Sequence, residues 1–278
     1  MVNTKPAPGN TNAGFKTPDD WDIDFTYIKN LLPHINAIRM YSTMDPTTAP
    51  NGSWATVPHL DNALLSAHKH GLKILVGVWS GDWDRFGQER AALNATLQNH
   101  GCDDIVAVSV GNEDLNTIDH QPLPVEVHTA MKINATEMLV EQMKQTRDVL
   151  DGYGCCHIPV THTDTWNEFY NSNGTTDPWA EKVSLSKYVY GLGLISVKLI
   201  KACDSFAIVN MFPYWQNARL DQAYDYMTDQ AAKSLDVASR YGKDLWLGET
   251  GWPRQVRVVP SSPSSKLIAS TGPGSRTK

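Results

Sequence analysis

The sequence predicts an α/β domain, a (β/α)8 barrel, from three observations: near-continuous apolar runs, amphipathic segments between them, and a glycine closing several helices. The apolar, β-branched runs are Ala37–Tyr41, Lys73–Trp79, Ile105–Gly111, Ile158–His162, Ser205–Phe212 and Asp244–Gly248. Runs of this kind mark strands buried on both faces, as in a parallel sheet. Helical spacing separates them, for example Phe25, Ile28, Leu31 and Leu32, or Met131, Ala135, Met138, Leu139, Met143 and Leu150. Gly71, Gly101, Gly154 and Gly242 each fall between a helical segment and a strand, where a left-handed residue ends a helix. The strand starts are spaced as βα units with right-handed crossovers. An open doubly wound sheet fits the same alternation, but no GxGxxG or GxxxxGK[ST] follows any strand. The barrel is therefore preferred.

A closed barrel needs eight strands, and only six are evident. Residues 1–18 are rich in Pro, Asn, Thr and Gly and read as an irregular segment before a helix at Asp20–Leu32. Residues 19–253 read as the barrel domain. Residues 254–278 carry five basic residues, no acidic one and clusters of Ser and Pro, the composition of a disordered tail. The expected fold is thus an incomplete (β/α)8 barrel lacking its first and last strands.

Composition narrows the functional classes. The 278 residues are 41% hydrophobic and 19% charged, with a formal net charge of -6, so no basic surface is available to hold nucleic acid. No run approaches the ~18 to 20 apolar residues of a membrane helix, and the start MVNTKPAPGN lacks the apolar region of a signal peptide. Four cysteines (Cys102, Cys155, Cys156, Cys203) and sequons at Asn51, Asn94, Asn134 and Asn173 fit a secreted glycoprotein. Four reduced core thiols are the alternative. The adjacent Cys155 and Cys156 are better placed to reach elsewhere, to Cys102 or Cys203, than to pair together. His68, His70 and His100 precede helix-ending glycines and read as solvated capping residues, and no metal or other cofactor is implied.

Catalytic groups of a βα barrel come from the carboxyl ends of its strands. Glu113 follows the run IVAVSVGN and Glu249 ends DLWLGE. Two carboxylates facing one cleft are the minimal machinery of glycoside hydrolysis: one protonates the leaving oxygen and the other captures the oxocarbenium-like carbon. Either glutamate alone could instead cap the following helix. Two in such contexts favour the catalytic reading.

GNED at 111–114 and GETGWP at 248–253 resemble the two signatures of glycoside hydrolase family 17, the β-1,3-glucanases of fungi and plants. The resemblance runs from about Trp21 to Pro253 and is closest to fungal members, through AIRMYST (37–43), KILVGVW (73–79), VTHTDTW (160–166) and CDSFAIVNMFPYWQN (203–217). It implies an acid/base after barrel strand four and a nucleophile after strand seven. Here the glutamates follow the third and sixth evident strands, as absence of the first strand predicts. The resemblance also implies that Asn112 hydrogen-bonds the sugar 2-OH; a helix N-cap is the plainer use. Arg39, with Tyr41 ending the same strand, is placed to hold the nucleophile ionised or to form a structural salt bridge. Tyr214, Trp215 and Trp252 are expected to offer aromatic faces to glucosyl rings, and His162, Asp164 and Trp166 to line the cleft.

The expected protein is a secreted or cell-wall-associated monomer that cleaves internal β-1,3-glucosidic bonds of glucan with retention, using no cofactor. Glu249 is the nucleophile and Glu113 the acid/base. Transglycosylation is the alternative within this chemistry. A truncated, non-catalytic glucan-binding wall protein is the alternative outside it. Because the ends depart from the family pattern, the chain by itself is expected to be a poor enzyme.

Overall fold

The computed structural model describes residues 16–48, 54–58, 60–170, 197–216, 218–252, 255–257 and 268–270. Six strands build one parallel sheet in chain order: β1 (Ala37–Arg39), β4 (Lys73–Val78), β5 (Ile105–Asn112), β6 (Val160–Thr165), β7 (Phe206–Met211) and β8 (Asp244–Thr250). All six strands expected from the sequence are present. A two-stranded antiparallel piece, β2 (Met44–Thr48) with β3 (Trp54–Pro58), was not anticipated and follows β1. It sits in what the apolar pattern left as a loop, because neither segment is a continuous apolar run.

The helices lie between the strands: α1 (Pro18–Leu31), α2 (Leu60–Lys69), α3 (Trp83–His100), α4 (Asp114–Asp119), α5 (Val125–Gly152), α6 (Trp166–Tyr170), α7 (residues 197–202) and α8 (Ala223–Ser239). The first helix begins two residues earlier than the sequence suggests. Thr17 caps it in a reciprocal box with Asp20, and Pro18 supplies the preset φ of a first helical residue. Its apolar stripe is narrower than read, since Trp21 and Phe25 are buried while Leu31 and Leu32 are exposed. Gly71, Gly101, Gly154 and Gly242 all have positive φ, between 61° and 72°, as their helix-ending role requires.

The sheet separates two apolar layers. Its helix-covered face buries Ile74, Val76, Val78, Val108, Val110 and Val160 against α1, α2, α3 and α5, and α8 covers Ala207, Val209 and Met211. The other face carries Leu75, Ala107, Phe206 and Ile208, with Trp246 stacked on Phe206 at 3.9 Å. That second face is concave. Arg39 of β1 reaches Glu249 of β8 at 3.2 Å although four strands lie between them in the sheet, which only a curled sheet permits. The architecture is the greater part of a (β/α)8 barrel. Among the described residues β1 and β8 each have one strand partner.

Of the end segments, residues 1–15 and most of 254–278 lie outside the described residues. The described part of the tail forms β9 (Gln255–Arg257) and β10 (Ile268–Ser270), which pair antiparallel with each other and not with the large sheet.

One disulfide joins Cys102 to Cys155, tying the turn after α3 to the turn after α5. Cys156 is a free exposed thiol and Cys203 a free buried one, so only Cys155 of the adjacent pair reaches elsewhere. His68 contacts Asp104 at 2.9 Å and is exposed, while His70 and His100 stand near Asp22 and Asp61. Among the described residues no helix is long and apolar enough to cross a membrane, and no cluster of three or more His, Cys, Asp or Glu side chains could hold a metal.

Candidate active site

Side chains alternate across a strand, so the concave face receives Phe206, Ile208 and Asn210 from β7. Two register breaks then decide what else it receives. On β5 the pairing with β6 shifts between Ser109 and Asn112, and on β7–β8 it shifts between Val209 and Asn210, so that Asn210 faces Glu249 with Gly248 as the extra residue. Such irregularities re-aim a side chain by one position. Here they bring Asn112, Asn210 and Glu249 together at the mouth of the curl.

Asn210 is the hub, and it is buried. Its Nδ2 donates to Glu113 Oε1 at 2.8 Å, to Glu249 Oε1 at 3.2 Å and to Asn112 Oδ1 at 3.3 Å. Three acceptors around one amide nitrogen fix which end of the Asn210 amide is the nitrogen. Because one atom touches both carboxylates, their Oε1 oxygens can be no further apart than 2.8 Å and 3.2 Å laid end to end. Arg39 spans the same group from β1, donating through Nη1 to Glu249 at 3.2 Å and through Nη2 to Asn112 Oδ1 at 2.8 Å. With its oxygen held twice, Asn112 turns its NH2 away from Arg39. Tyr41 lies against the arginine, whose Cζ is 4.5 Å from the ring centroid, and burial pushes the Tyr41 phenol well above its usual range. The loop behind Tyr41 is held by the buried carboxylate of Glu89, which accepts from the Thr43 amide and hydroxyl at 2.6 Å each and from Arg85 Nε at 2.9 Å.

Glu113 stands at φ 58° and ψ 32°, the only non-glycine positive φ among the described residues. Strain of order 1–3 kcal/mol is characteristic of such a residue, and the surrounding contacts must sustain it. Burial raises the Glu113 pKa above the ordinary carboxylate value. The Asn210 hydrogen bond and Arg39 oppose that shift, while the charges of Glu249 and Asp164 add to it.

A cleft of about 420 Å³ opens on Glu113 and Asn210, with Thr165, Trp166 and Phe212 in its walls and the exposed Trp215 at its rim. Tyr214 is half-buried beside it, edge-on to Trp215 at 4.9 Å and to Trp252 at 5.5 Å. Glu113 and Trp215 thus border the cleft, Asn210 and Arg39 link Glu113 to Asn112 and Glu249, Tyr41 lies on Arg39, and Tyr214 joins Trp252 to Trp215.

His162 and Asp164 correct the expectation. Both are wholly buried and neither lines the cleft. Thr161, Thr163 and Thr165 take the concave face of β6: Thr163 bonds Ser109 across it at 2.8 Å. His162 and Asp164 therefore point to the helix-covered side. Of that expected group only Trp166 borders the opening. Asn210 was missed, although it is the single polar residue in the buried run FAIVNM and sits near the end of the strand that carries it.

Gly248 is required at its position because a Cβ there would lie 2.6 Å from Ile208 Cγ2, 2.7 Å from Asn210 Oδ1 and 3.1 Å from Arg39 Nη1. Gly248→Ala is expected to cost about 1–3 kcal/mol as overpacking. Because it displaces Asn210 and Arg39 together, kcat should fall along with Tm. A melting curve and one turnover assay check this; unchanged kcat would mean that the site absorbs the methyl group.

A parallel, curled sheet with two glutamates at the carboxyl ends of its strands is the architecture of the (β/α)8 glycoside hydrolases. Residues 7–269 match the BtgE/BtgC glycoside hydrolase domain model. The chain belongs to that family, and its likeness to fungal family 17 glucanases stands. It is 27% identical over 257 residues to the Aspergillus fumigatus protein named "Probable glucan endo-1,3-beta-glucosidase eglC", covering 88% of this chain and 49% of that one. It is also 27% identical over 266 residues to the Schizosaccharomyces pombe glucan 1,3-beta-glucosidase, covering 90% and 68%. The chain thus spans about half the length of the Aspergillus relative. Its fold matches the family 17 beta-1,3-glucanosyltransferase of Rhizomucor miehei with TM-score 0.57 at 22% identity, over 86% of this chain and 68% of that one. A plant beta-glucan endohydrolase matches with TM-score 0.53 at 17% identity, over 92% and 76%.

Proposed function

We propose that the protein hydrolyses internal β-1,3-glucosidic bonds of glucan with retention of configuration. Glu249 attacks the anomeric carbon, and Glu113 first gives a proton to the leaving oxygen and then takes one from water. The observation that carries this reading is the shared Asn210 donor. The 2.8 Å and 3.2 Å bonds bring the facing Oε1 oxygens closer than the roughly 6.5–9.5 Å by which inverting enzymes separate their carboxyl groups for an intervening water. Arg39 donates to Glu249 and so orients its carboxylate toward the anomeric carbon, and burial of Glu113 favours the protonated form that an acid requires. The NH2 of Asn112 is left to donate to a sugar hydroxyl, and Tyr214, Trp215 and Trp252 offer ring faces and edges beside the cleft.

The protein acts as a monomer on β-glucan, outside the cell or in the wall, and takes no nucleic-acid partner. The Cys102–Cys155 disulfide favours an oxidising compartment, and the sequon residues Asn94 and Asn134 are exposed.

The test is to incubate the full-length protein with laminarin oligosaccharides and follow product size and anomeric configuration by NMR. Internal cleavage giving β-configured new ends is expected. Products longer than the substrate would assign transfer to a sugar acceptor instead, and α-configured products would remove the retaining mechanism. The kcat/KM profile against pH should keep its alkaline limb above the ordinary glutamate range, because the raised Glu113 must stay protonated in the free enzyme. A limb at the ordinary glutamate value would take the acid role from Glu113.

A further inference from the structure

The backbone on either side of the strained Glu113 is bonded from the opposite side of the sheet from the cleft. Three consecutive residues of β6 grip the β5–α4 junction at three points. His162 Nδ1 meets the Val110 carbonyl at 2.6 Å, before the turn. The Thr163 carbonyl accepts from the Glu113 amide at 3.0 Å, within it. Asp164 Oδ2 accepts from the Leu115 amide at 3.0 Å, after it. The same Asp164 oxygen lies 3.2 Å from His162 Nε2, and Asp164 Oδ1 accepts from the Thr165 amide at 2.8 Å. His162, Thr163 and Asp164 are wholly buried.

The chemistry of this triplet is specific. Both ring nitrogens of His162 face acceptors, a carbonyl and a carboxylate, and a doubly protonated ring is the form that donates to each. A buried ion pair is worth little as stabilisation compared with apolar packing, and its burial here calls for another use. The turn it holds contains Gly111 at φ 79° and Glu113 at φ 58°. The adjacent Asp114 is anchored separately by the Ser80 hydroxyl.

We propose that the His162–Asp164 ion pair is the positioning unit of Glu113, clamping the backbone before and after it so that its carboxylate meets Asn210 and the cleft. The proposal rests on the reading of Glu113 as the acid/base. The groups facing His162 are Asp164 and Asp114, with the Cys203 thiol near its backbone, and burial works against its charge while the two carboxylates more than restore it. The groups facing Glu113 are Asn210, Glu249, Asp164 and Arg39.

The decisive variant is Asp164→Asn in the full-length protein, which keeps the shape and removes the charge, with His162→Gln as its partner. Two measurements do not depend on activity. In the wild type, ¹⁵N NMR of the His162 ring should show both nitrogens protonated at neutral pH, and a neutral tautomer there would overturn the proposal. In Asp164→Asn the Leu115 amide should exchange with solvent faster by roughly tenfold or more while Val108 in the core of β5 stays protected, the mark of local rather than global opening. Equal acceleration of both amides would reduce the pair to general stability.

Two further measurements read positioning. Hydrolysis of laminarin oligosaccharides should drop by about 10²-fold, the scale of a misplacement near 1 Å, whereas an aryl glucoside with a good leaving group should lose far less. The alkaline limb of the pH profile should move down, because a negative charge that raises Glu113 is gone. Equal losses on both substrates with an unmoved limb would refute the positioning role. If the wild type hydrolyses no β-glucoside, the functional reading falls, and the exchange and ring-nitrogen measurements still decide this one.

Discussion

Replacing Glu249 by glycine in the full-length protein is expected to abolish glucan hydrolysis, a loss on the order of 10⁴ to 10⁶ in kcat, the scale seen when a covalent hydrolase loses its nucleophile. The space vacated lies beside Arg39 Nη1 and Asn210 Nδ2, two donors formerly satisfied by the carboxylate. A small anion fits both the space and the charge. Azide or formate should therefore restore turnover of an activated β-glucoside, and the azide product should have the α configuration, since attack comes from the side the carboxylate occupied. A β-configured azide would show that Glu249 is the acid/base and that the two roles are exchanged.

Glu113→Ala should cost about 10² to 10⁴ on glucan, the usual worth of a positioned general acid. On a substrate whose leaving group needs no protonation the first step should be nearly untouched, so a glycosyl-enzyme accumulates and a burst appears. Azide should then speed turnover and give the β-configured adduct. The variant keeps the strained φ of 58°, because alanine retains the Cβ that makes it unfavourable, and the Leu115 amide remains bonded to Asp164. Equal losses on poor and good leaving groups would refute the acid role. Together the two variants assign nucleophile and acid/base by opposite product configurations, so a mistaken assignment of either cannot survive both.

The apolar runs were legible because a strand buried on both faces leaves a nearly unbroken hydrophobic stretch, and all six such runs form the large sheet. Glu113 and Glu249 were legible because a carboxylate directly after a buried run stands at a strand end. The pair His162 and Asp164 was misread for a definite reason. On β6 the alternation sends the threonines of VTHTDT inward and the two titratable residues outward, and polarity alone pointed the wrong way. Thr163, meeting Ser109 at 2.8 Å on the concave face, is what sets that parity. Asn210 was passed over because a lone amide inside FAIVNM carries no spacing signal; its carboxylate partners come from the end of β5, at Glu113, and from β8, 97 and 39 residues away in sequence. The β2–β3 hairpin escaped notice because its segments lack the apolar continuity that identified the others.

By itself the sequence determined the alternation of strands and helices, the glycines that end the helices, and the presence of two glutamates at strand ends, since each of these depends on local pattern. Only the tertiary structure decided which side chains share the cleft. The register breaks beside Asn112 and Gly248 shift Asn112 and Glu249 into line with Asn210. The curl of the sheet carries Arg39 of the first parallel strand across to the last, and the outward face of β6 bonds the backbone before and after Glu113. The physical reason is the same in each case: a strand's pattern tells which residues alternate, but pairing register, bulges and curvature set the face to which that alternation is applied.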